Sequence, residues 1–515
     1  MQKKILEYLN ALVCGYVILI CAVLPLYMQN GFVMIGDAKY AFFLTVSILF
    51  LLLFLAGFAP FLTVYKQKRG IGWSALDMFV ALYGISVIVS FLGSPYKEIA
   101  LWGYTDWHMG LITQLFFVWG YFFVSRCFGK DKFVWKIIWI ASTIVFTIGM
   151  LNRYQFDPLG NFREIDIWDW NHANLLSTIG NINWYCGYLC LTLPLSWYFM
   201  WKGKGKERAA GYIFSFIGNV SLFTQGSMGG YVGAGAVLIV LFCISLQERA
   251  YFLKFLQVLI LFVSAPLFIN VTILLAPRGL QIVDSNVLDW RGWMPCLIFL
   301  LALYFVVKKC FFAKKPVLPL GEGTRRIVRW AVLWGVLGSA ALFAIFRFYG
   351  ALQGESGISA VFNLDAEWGS GRGALWKAAV QCFMRGDWRQ KLIGAGPDCY
   401  ACVVYELTDL RKELHVTGQW EGAIFANAHN EWLNMLVTGG VAGMMLYCGI
   451  FCSAFCGFWI RQKDNPIFIL GLMIITGYCA YGLGSFQQIV TTPSAFAILG
   501  MLESYRREES LTRSI

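Results

Sequence analysis

Apolar residues in this chain do not recur with the period of two of a half-buried strand, nor mainly as the narrow stripe of a surface helix. They come in long runs broken by short polar, glycine-rich or basic stretches. A run of about 20 apolar residues is what an α-helix needs to cross a bilayer, and a helix satisfies its own backbone hydrogen bonds there. The runs predict spans near residues 11–28, 40–64, 75–93, 109–125, 137–151, 183–201, 209–224, 230–246, 255–275, 293–307, 330–348, 432–458, 466–484 and 491–503. The expected fold is therefore all-α: a polytopic integral membrane protein of about fourteen transmembrane helices, with residues 1–515 forming one membrane domain. Its single large interruption, residues 349–431, is expected to be an extracytoplasmic loop containing short helices, and a connection that long is usually functional or carries its own structure.

Composition agrees. Of 515 residues, 58% are hydrophobic and 14% charged, against roughly 45–50% and about 25% in a soluble domain. A soluble enzyme, a disordered chain and a free nucleic-acid binder are thereby excluded. The net charge of +12 becomes a topology signal once the basic residues are placed. Lys3 and Lys4, Lys66 to Arg69, Arg126 to Lys136, Lys202 to Arg208, Arg249 and Lys254, Lys308 to Arg329, Arg461 and Lys463, and Arg506 to Arg513 all fall on one side of the predicted spans. That side holds about two thirds of the 41 Lys and Arg, so both termini are expected in the cytoplasm and the chain in the cell (plasma or inner) membrane. The bilayer is then a partner and nucleic acid is not. Lys3 and Lys4 precede an apolar run with no small-residue cleavage site, which reads as an uncleaved first span. Most of the 15 cysteines lie in or beside spans; Cys399 and Cys402 fall in the loop, where a disulfide is open to them, while one CxxC pair is poor support for zinc.

Within the loop, apolar residues at 375, 376, 379, 380, 383 and 384 have helical spacing, with Ser370 or Gly371 able to cap the start and Gly386 the end. Arg372 then sits at a helix N-terminus, where a cation opposes the helix dipole unless an anion joins it. Free N–H groups beside a forked guanidinium suit a phosphate. A solvated arginine, or one paired with Asp365 or Glu367, is the alternative. Arg385, Arg389 and Lys391 follow around Trp388, and then comes Gly394-Ala395-Gly396-Pro397, which reads as a turn or a place where backbone approaches a ligand.

His429 and Asn430 precede the twelfth predicted span. A helix N-terminus disfavours the imidazolium, leaving His429 neutral and able to act as a general base; an interfacial histidine bonded to headgroups or backbone is the alternative. Trp102, Tyr104, Trp107, Trp168, Trp170, Trp184 and Tyr185 gather on the same side, either as a platform for sugar rings or as an interfacial aromatic belt. His108 and His172 among them are given no catalytic role.

His429-Asn430, nine residues, then Gly440-Val441-Ala442-Gly443 resembles the H-N-x9-G-x-x-G pattern of the O-antigen ligase and O-antigen polymerase superfamily. Gly369-Ser370-Gly371-Arg372 with Trp376, Gly394-Ala395-Gly396, and Gly180-Asn181-Ile182-Asn183 also resemble family segments, so the likeness covers roughly residues 180–460. Where many members carry Ser-Arg-Gly, this chain has Ser227-Met228-Gly229. Methionine thus stands where an arginine is expected, and Arg385, Arg389 or Arg278 would have to supply the missing phosphate contact.

The resemblance implies a membrane glycosyltransferase, inverting and using neither metal nor cofactor. It would ligate or polymerise a polyprenyl-pyrophosphate-linked glycan donor onto a hydroxyl of a glycan, lipid or protein acceptor at the outer face, in cell-surface polysaccharide biosynthesis. Arg372, with Arg385 and Arg389, would hold the donor pyrophosphate as its charge grows, and His429 would take the acceptor proton. Asn430, Gly440 and Gly443 would support the site, the two glycines by sharing a helix face that lets another helix approach. A lipid-linked oligosaccharide flippase or other transporter is the alternative; against it, Asp77, Arg126, Lys254 and Arg347 all fall at span edges, leaving no charge at mid-membrane.

Overall fold

The computed structural model describes residues 2–57, 72–163, 174–276, 279–281, 288–312, 368–416 and 425–512. These residues are overwhelmingly helical. In chain order the helices are α1 (Gln2–Ile18), continued by a π-helical turn (Leu19–Val23) into α2 (Leu24–Leu26), then α3 (Ile35–Ala56), α4 (Ala75–Gly93), α5 (Lys97–Trp102), α6 (Leu111–Cys127) and α7 (Lys132–Arg153). A two-stranded antiparallel ribbon, β1 (Leu175–Leu176) and β2 (Gly180–Asn181), leads into α8 (Ile182–Lys202), α9 (Gly205–Thr224), α10 (Met228–Ser245), α11 (Arg249–Leu275) and α12 (Trp290–Phe312). After α12 come α13 (Trp368–Arg385), α14 (Trp388–Ile393), α15 (Tyr400–Glu406), α16 (Thr408–Val416), α17 (Glu431–Arg461), α18 (Ile467–Tyr481) and α19 (Thr491–Thr512).

Every predicted span that falls on described residues is helical; the one at 330–348 lies outside them. Among the described residues eight helices are long and apolar enough to cross a membrane, and α6 and α18 are apolar but shorter. The described part of residues 349–431 holds α13, of 18 residues, and the shorter α14, α15 and α16, of 6, 7 and 9 residues.

Local chemistry explains the ends. Helix α4 opens on a capping box: Ser74 Oγ accepts from Asp77 N at 3.0 Å, and Asp77 Oδ2 accepts from Ser74 N at 2.8 Å. Helix α2 is closed by the buried Lys39, whose ammonium donates to the carbonyls of Leu24, Pro25 and Tyr27 at 3.0, 3.2 and 2.8 Å. Helix α8 is buried on nearly every side, which marks it as the central helix of the bundle. Small residues admit its neighbours: a Cβ on Gly233 of α10 would lie 2.6 Å from Cys190 Sγ, and one on Gly477 of α18 would lie 2.6 Å from the Cys190 carbonyl.

Helix α17 is not the straight span its apolar run predicts. A straight helix would separate Glu431 from Tyr447 by about 24 Å along the axis. Instead the Tyr447 hydroxyl donates to Glu431 Oε1 at 2.5 Å, and Trp432 packs on Tyr447 and Phe451 with ring centroids 5.8 and 6.0 Å apart. The chain doubles back at Gly440, whose φ of 66° and ψ of −172° no right-handed helix contains. Residues 431–439 therefore form a short separate arm, and 441–461 form the long helix that packs on α4 and α18.

Candidate functional site

That reversal builds one wall of the site. Breaking the helix at Gly440 leaves the carbonyls of Val437 and Thr438 without their in-helix partners. Ala395 N donates to Val437 O at 3.0 Å and Gly396 N to Thr438 O at 3.1 Å, while Ser90 Oγ of α4 also reaches Thr438 O at 2.8 Å. Backbone meets backbone here: a Cβ on Gly394 would lie 2.1 Å from Thr438 O, and one on Gly440 would lie 2.5 Å from Leu392 C and O. The Gly394-Ala395-Gly396 segment is thus a docking turn. Gly440 is correspondingly absent from any shared helix face with Gly443, whose Cβ would meet nothing nearer than 4.0 Å. The close helix approach expected of this pair occurs at Gly233 and Gly477 instead.

Asn430 caps the arm, its Oδ1 accepting from Trp432 N at 3.1 Å and Leu433 N at 3.0 Å, and its Nδ2 donating to Leu483 O at 2.9 Å. His429 lies in the preceding turn with a left-handed φ of 46°. Its N–H donates to Asn427 Oδ1 at 3.0 Å, and its ring meets Phe486 edge-on at 5.0 Å. Burial, and second the charge of Arg372, push the imidazole down to about 3, so it is neutral near pH 7. The sequence argument reached the same state through the helix end; desolvation is the larger cause.

Arg372 is placed by α13. Although the helical segment starts at Trp368, Gly371 has φ of 84°, so the regular helix begins with Arg372. Gly386 ends it, donating its N–H to Cys382 O at 3.1 Å. The buried stripe of this helix is Ala374, Leu375, Ala378, Ala379 and Cys382, turned from the expected one, with Val380 and Met384 exposed. Alanine and cysteine let α13 sit close against Tyr400, Phe425 and Val437. One turn beyond Arg372, Trp376 Nε1 donates to the His429 carbonyl at 3.3 Å. The structure thus brings Arg372 and His429 to one place.

On its other side Arg372 Nη2 donates to Asn183 Oδ1 at 3.2 Å, an oxygen that also accepts from Ser227 Oγ at 3.0 Å. Tyr481 donates its hydroxyl to the Asn183 carbonyl. Burial lowers the guanidinium from its ordinary value, with Tyr481 and Cys186 opposing. Three segments picked out in the sequence, around Asn183, Ser227 and Arg372, therefore converge. Met228 is 56% exposed and opens α10. The turn before it is braced by Arg153, which donates to Gln225 O at 2.9 Å and Gln281 Oε1 at 2.8 Å.

Arg385 and Arg389 are not brought to this place. Arg385 is thirteen residues along α13 from Arg372, about 20 Å, and pairs with Asp409 at 2.6 Å. Arg389 is exposed and lies over Trp388 at 5.8 Å, beside the exposed Trp388 and Leu392. Arg278, Asp365, Glu367, Trp168, Trp170 and His172 lie outside the described residues. His108 pairs with Asp37 at 2.5 Å and stacks on Tyr40. Cys399 and Cys402 are separate thiols. Among the described residues no three His, Cys, Asp or Glu side chains are grouped to hold a metal.

Apolar helices of spanning length mark a multi-pass membrane protein, and at one end of the bundle the partly buried guanidinium of Arg372 and the neutral imidazole of His429 are held together. A family model described as O-antigen ligase matches residues 291–448, a stretch that contains both Arg372 and His429, and this match supports membership of the O-antigen ligase superfamily. It also supports a role of that type in cell-surface polysaccharide biosynthesis. The curated proteins contain no match to this chain.

Sequence reasoning missed two parts of the site. Asn183 was noted only as part of a resembling segment, and Trp376 only for its helical spacing and as part of another such segment. An asparagine opening an otherwise apolar span was the available signal for the first; nothing local predicts the second.

Proposed function

We propose that the protein transfers glycan from a polyprenyl-pyrophosphate donor to an acceptor hydroxyl, at the outer face of the cell membrane, with both termini in the cytoplasm. Attack forms the new glycosidic bond at the anomeric carbon and breaks its bond to the pyrophosphate oxygen. Arg372, held by Asn183, stabilises the charge that grows on the departing diphosphate. The neutral His429 takes the proton that the acceptor hydroxyl loses, a role worth typically 10²- to 10⁴-fold. The donor's sugar bridges the two groups, and the attack from opposite the leaving group makes the transfer inverting. No step requires a metal or cofactor.

The observation that carries this reading is the link through α13: Trp376 fastens the His429 turn to the same helix that presents Arg372. Arg385, paired with Asp409, and Arg389, exposed over Trp388, lie away from this site and are not assigned to the donor. Ligase and polymerase share this chemistry and differ in the acceptor. Deleting the gene separates them: single lipid-linked repeat units would accumulate if the protein is a polymerase, and full-length unattached chains if it is a ligase. Restoring His429→Ala should leave the deletion phenotype with normal protein abundance; restored surface glycan would remove His429 from the mechanism.

A further inference from the structure

At the opposite end of the bundle from the transfer site, α7, α8, α9, α18 and α19 border a cavity of about 370 Å³. Helix α8 sets the separation: it opens beside Arg372 at Asn183 and ends nineteen residues later at Lys202, about 28 Å along its axis. A single water needs only about 10–15 Å³ of such space, so the cavity admits a much larger group. Its charged lining is three lysines, Lys132, Lys136 and Lys202, against one carboxylate, Glu207. The rest is largely apolar or aromatic, with Trp135, Tyr198 and Phe199 within one helical turn of a lysine and Tyr505 contributed by α19.

Two of these lysines sit where a cation is unfavourable unless an anion joins it. Lys132 is the first residue of α7, where its charge opposes the helix dipole. Lys136 follows four residues later, on the same face, where like charges repel. Among the described residues the Lys132 ammonium has no hydrogen-bond or ion-pair partner. Lys136 pairs with Glu207 at 2.7 Å, but both side chains are 43% exposed, so the pair is weak and readily exchanged. Lys202 adds charge from the side, its ammonium donating to the Tyr251 hydroxyl at 2.5 Å and lying 4.1 Å from that ring's centre. Lys130 adds more, 5.4 Å over the ring of Tyr505. Asp131 is occupied as the cap of α7, accepting from Phe133 N at 2.8 Å.

A water-borne phosphate would satisfy the lysines and leave the aromatic walls unmatched, whereas an acyl chain alone would match the walls and leave the lysines. Aromatic rings beside lysines at helix ends belong to the headgroup level of a bilayer, and basic pockets between membrane helices suit anionic headgroups. We propose that this cavity seats the headgroup of an anionic phospholipid from the leaflet at that end of the bundle. Lys132 and Lys136 hold the phosphate, Lys136 exchanging Glu207 for it, and the rings of Trp135, Tyr198 and Tyr505 cover the glycerol and the first acyl carbons. A zwitterionic phospholipid binds less well, because its own ammonium meets the lysines. The site needs neither donor nor acceptor glycan, so it stands or falls apart from the glycosyl-transfer reading.

Full-length protein is stripped of lipid in detergent and titrated with phosphatidylglycerol or with phosphatidylcholine of the same acyl chains, bound lipid being counted by native mass spectrometry. Phosphatidylglycerol should bind at least about tenfold more tightly than phosphatidylcholine. Lys132→Ala combined with Lys136→Ala should weaken phosphatidylglycerol roughly thirtyfold, the effect of two lysines. Lys4→Ala combined with Lys308→Ala removes as much charge from two exposed lysines that do not line the cavity, and should leave binding unchanged. Glu207→Gln, which frees Lys136, should tighten binding, a gain that a damaged fold cannot produce. Inorganic phosphate at the lipid's concentration should displace nothing. Equal binding of the two lipids, equal losses in the two double variants, no gain in Glu207→Gln, or displacement by inorganic phosphate, the mark of a water-borne anion, would each overturn the proposal. The contrast between the lipids needs no variant to fold.

Discussion

At the scale of single residues, the pairing of His429 with Arg372 sets a pH dependence. The imidazole is at about 3 in the folded protein, below its ordinary 6.5, so between those values the unfolded chain binds more protons. The associated stability is present above pH 6.5 and is lost as pH falls toward 3. A transfer rate limited by His429 should therefore show no acid limb near pH 6.5, which a pH profile of kcat/KM measures directly. Because the Arg372 charge is the second cause of the depression, a bound diphosphate should raise the His429 value. With only four histidines in the chain, NMR titration of ring-labelled protein with and without inorganic pyrophosphate resolves that shift; an unmoved His429 would mean the anion sits elsewhere. Arg372→Lys keeps the charge and loses the fork that reaches Asn183, and transfer should fall at least about tenfold. The sequence disclosed Arg372 because Gly371 and the apolar spacing announce a helix start. It could not disclose Asn183, which is 189 positions away in the chain and meets Arg372 only through packing.

At the scale of elements, the two glycines of the H-N-x9-G-x-x-G pattern have different roles, and a stability measurement tells them apart. Gly440→Ala would put a side chain at φ of 66° and a Cβ 2.5 Å from the Leu392 backbone. That positive-φ extended conformation, essentially restricted to glycine, alone costs a side chain about 1–3 kcal/mol, and the contact with backbone adds to it. Thermal unfolding in detergent should occur clearly earlier, and transfer should fall as the His429 arm shifts. Gly443→Ala meets nothing within 4 Å except Met435 Sδ and Ser86 Oγ at that limit, so its midpoint should stay near wild type. Equal effects of both substitutions would contradict the reversal at Gly440. Hydrophobicity hid this reversal, since residues on both sides of Gly440 are apolar and a run does not reveal that its axis bends. The turned face of α13 was hidden for a related reason: alanine and cysteine are small enough for close packing but weak markers of a buried stripe.

At the scale of the whole molecule, a buried charge cluster ties the C-terminal helix to the early ones at the end of the bundle away from His429. Asp77 of α4 is fully buried and accepts from Arg126 at 3.2 Å, from the Tyr121 hydroxyl at 2.8 Å and from Arg507 of α19. Removing one member of such a set leaves the others charged and buried, which costs about 3–5 kcal/mol. Asp77→Ala should therefore lower the unfolding midpoint far more than Lys97→Ala, an exposed lysine that donates to two backbone carbonyls and lies over the Phe91 ring. Similar midpoints for the two would show that packing alone holds α19 in place. The sequence located Asp77 and Arg126 at span edges, but it could not pair them with a residue 430 positions later in the chain.

What the sequence determined by itself was the class of fold and the chemical types at the site. Apolar run length sets where a helix must cross a bilayer, and an arginine after a glycine or a histidine before a capping asparagine acts through its immediate neighbours. Those forces are local, so they are written in consecutive residues. Tertiary structure alone decided that α17 doubles back, that Trp376 fastens the His429 turn to the Arg372 helix, and that Arg385 and Arg389 stay away. Each of these depends on contacts between segments far apart in the chain. Such contacts follow from how side-chain volumes and backbone hydrogen bonds are satisfied together, which no single stretch of sequence contains.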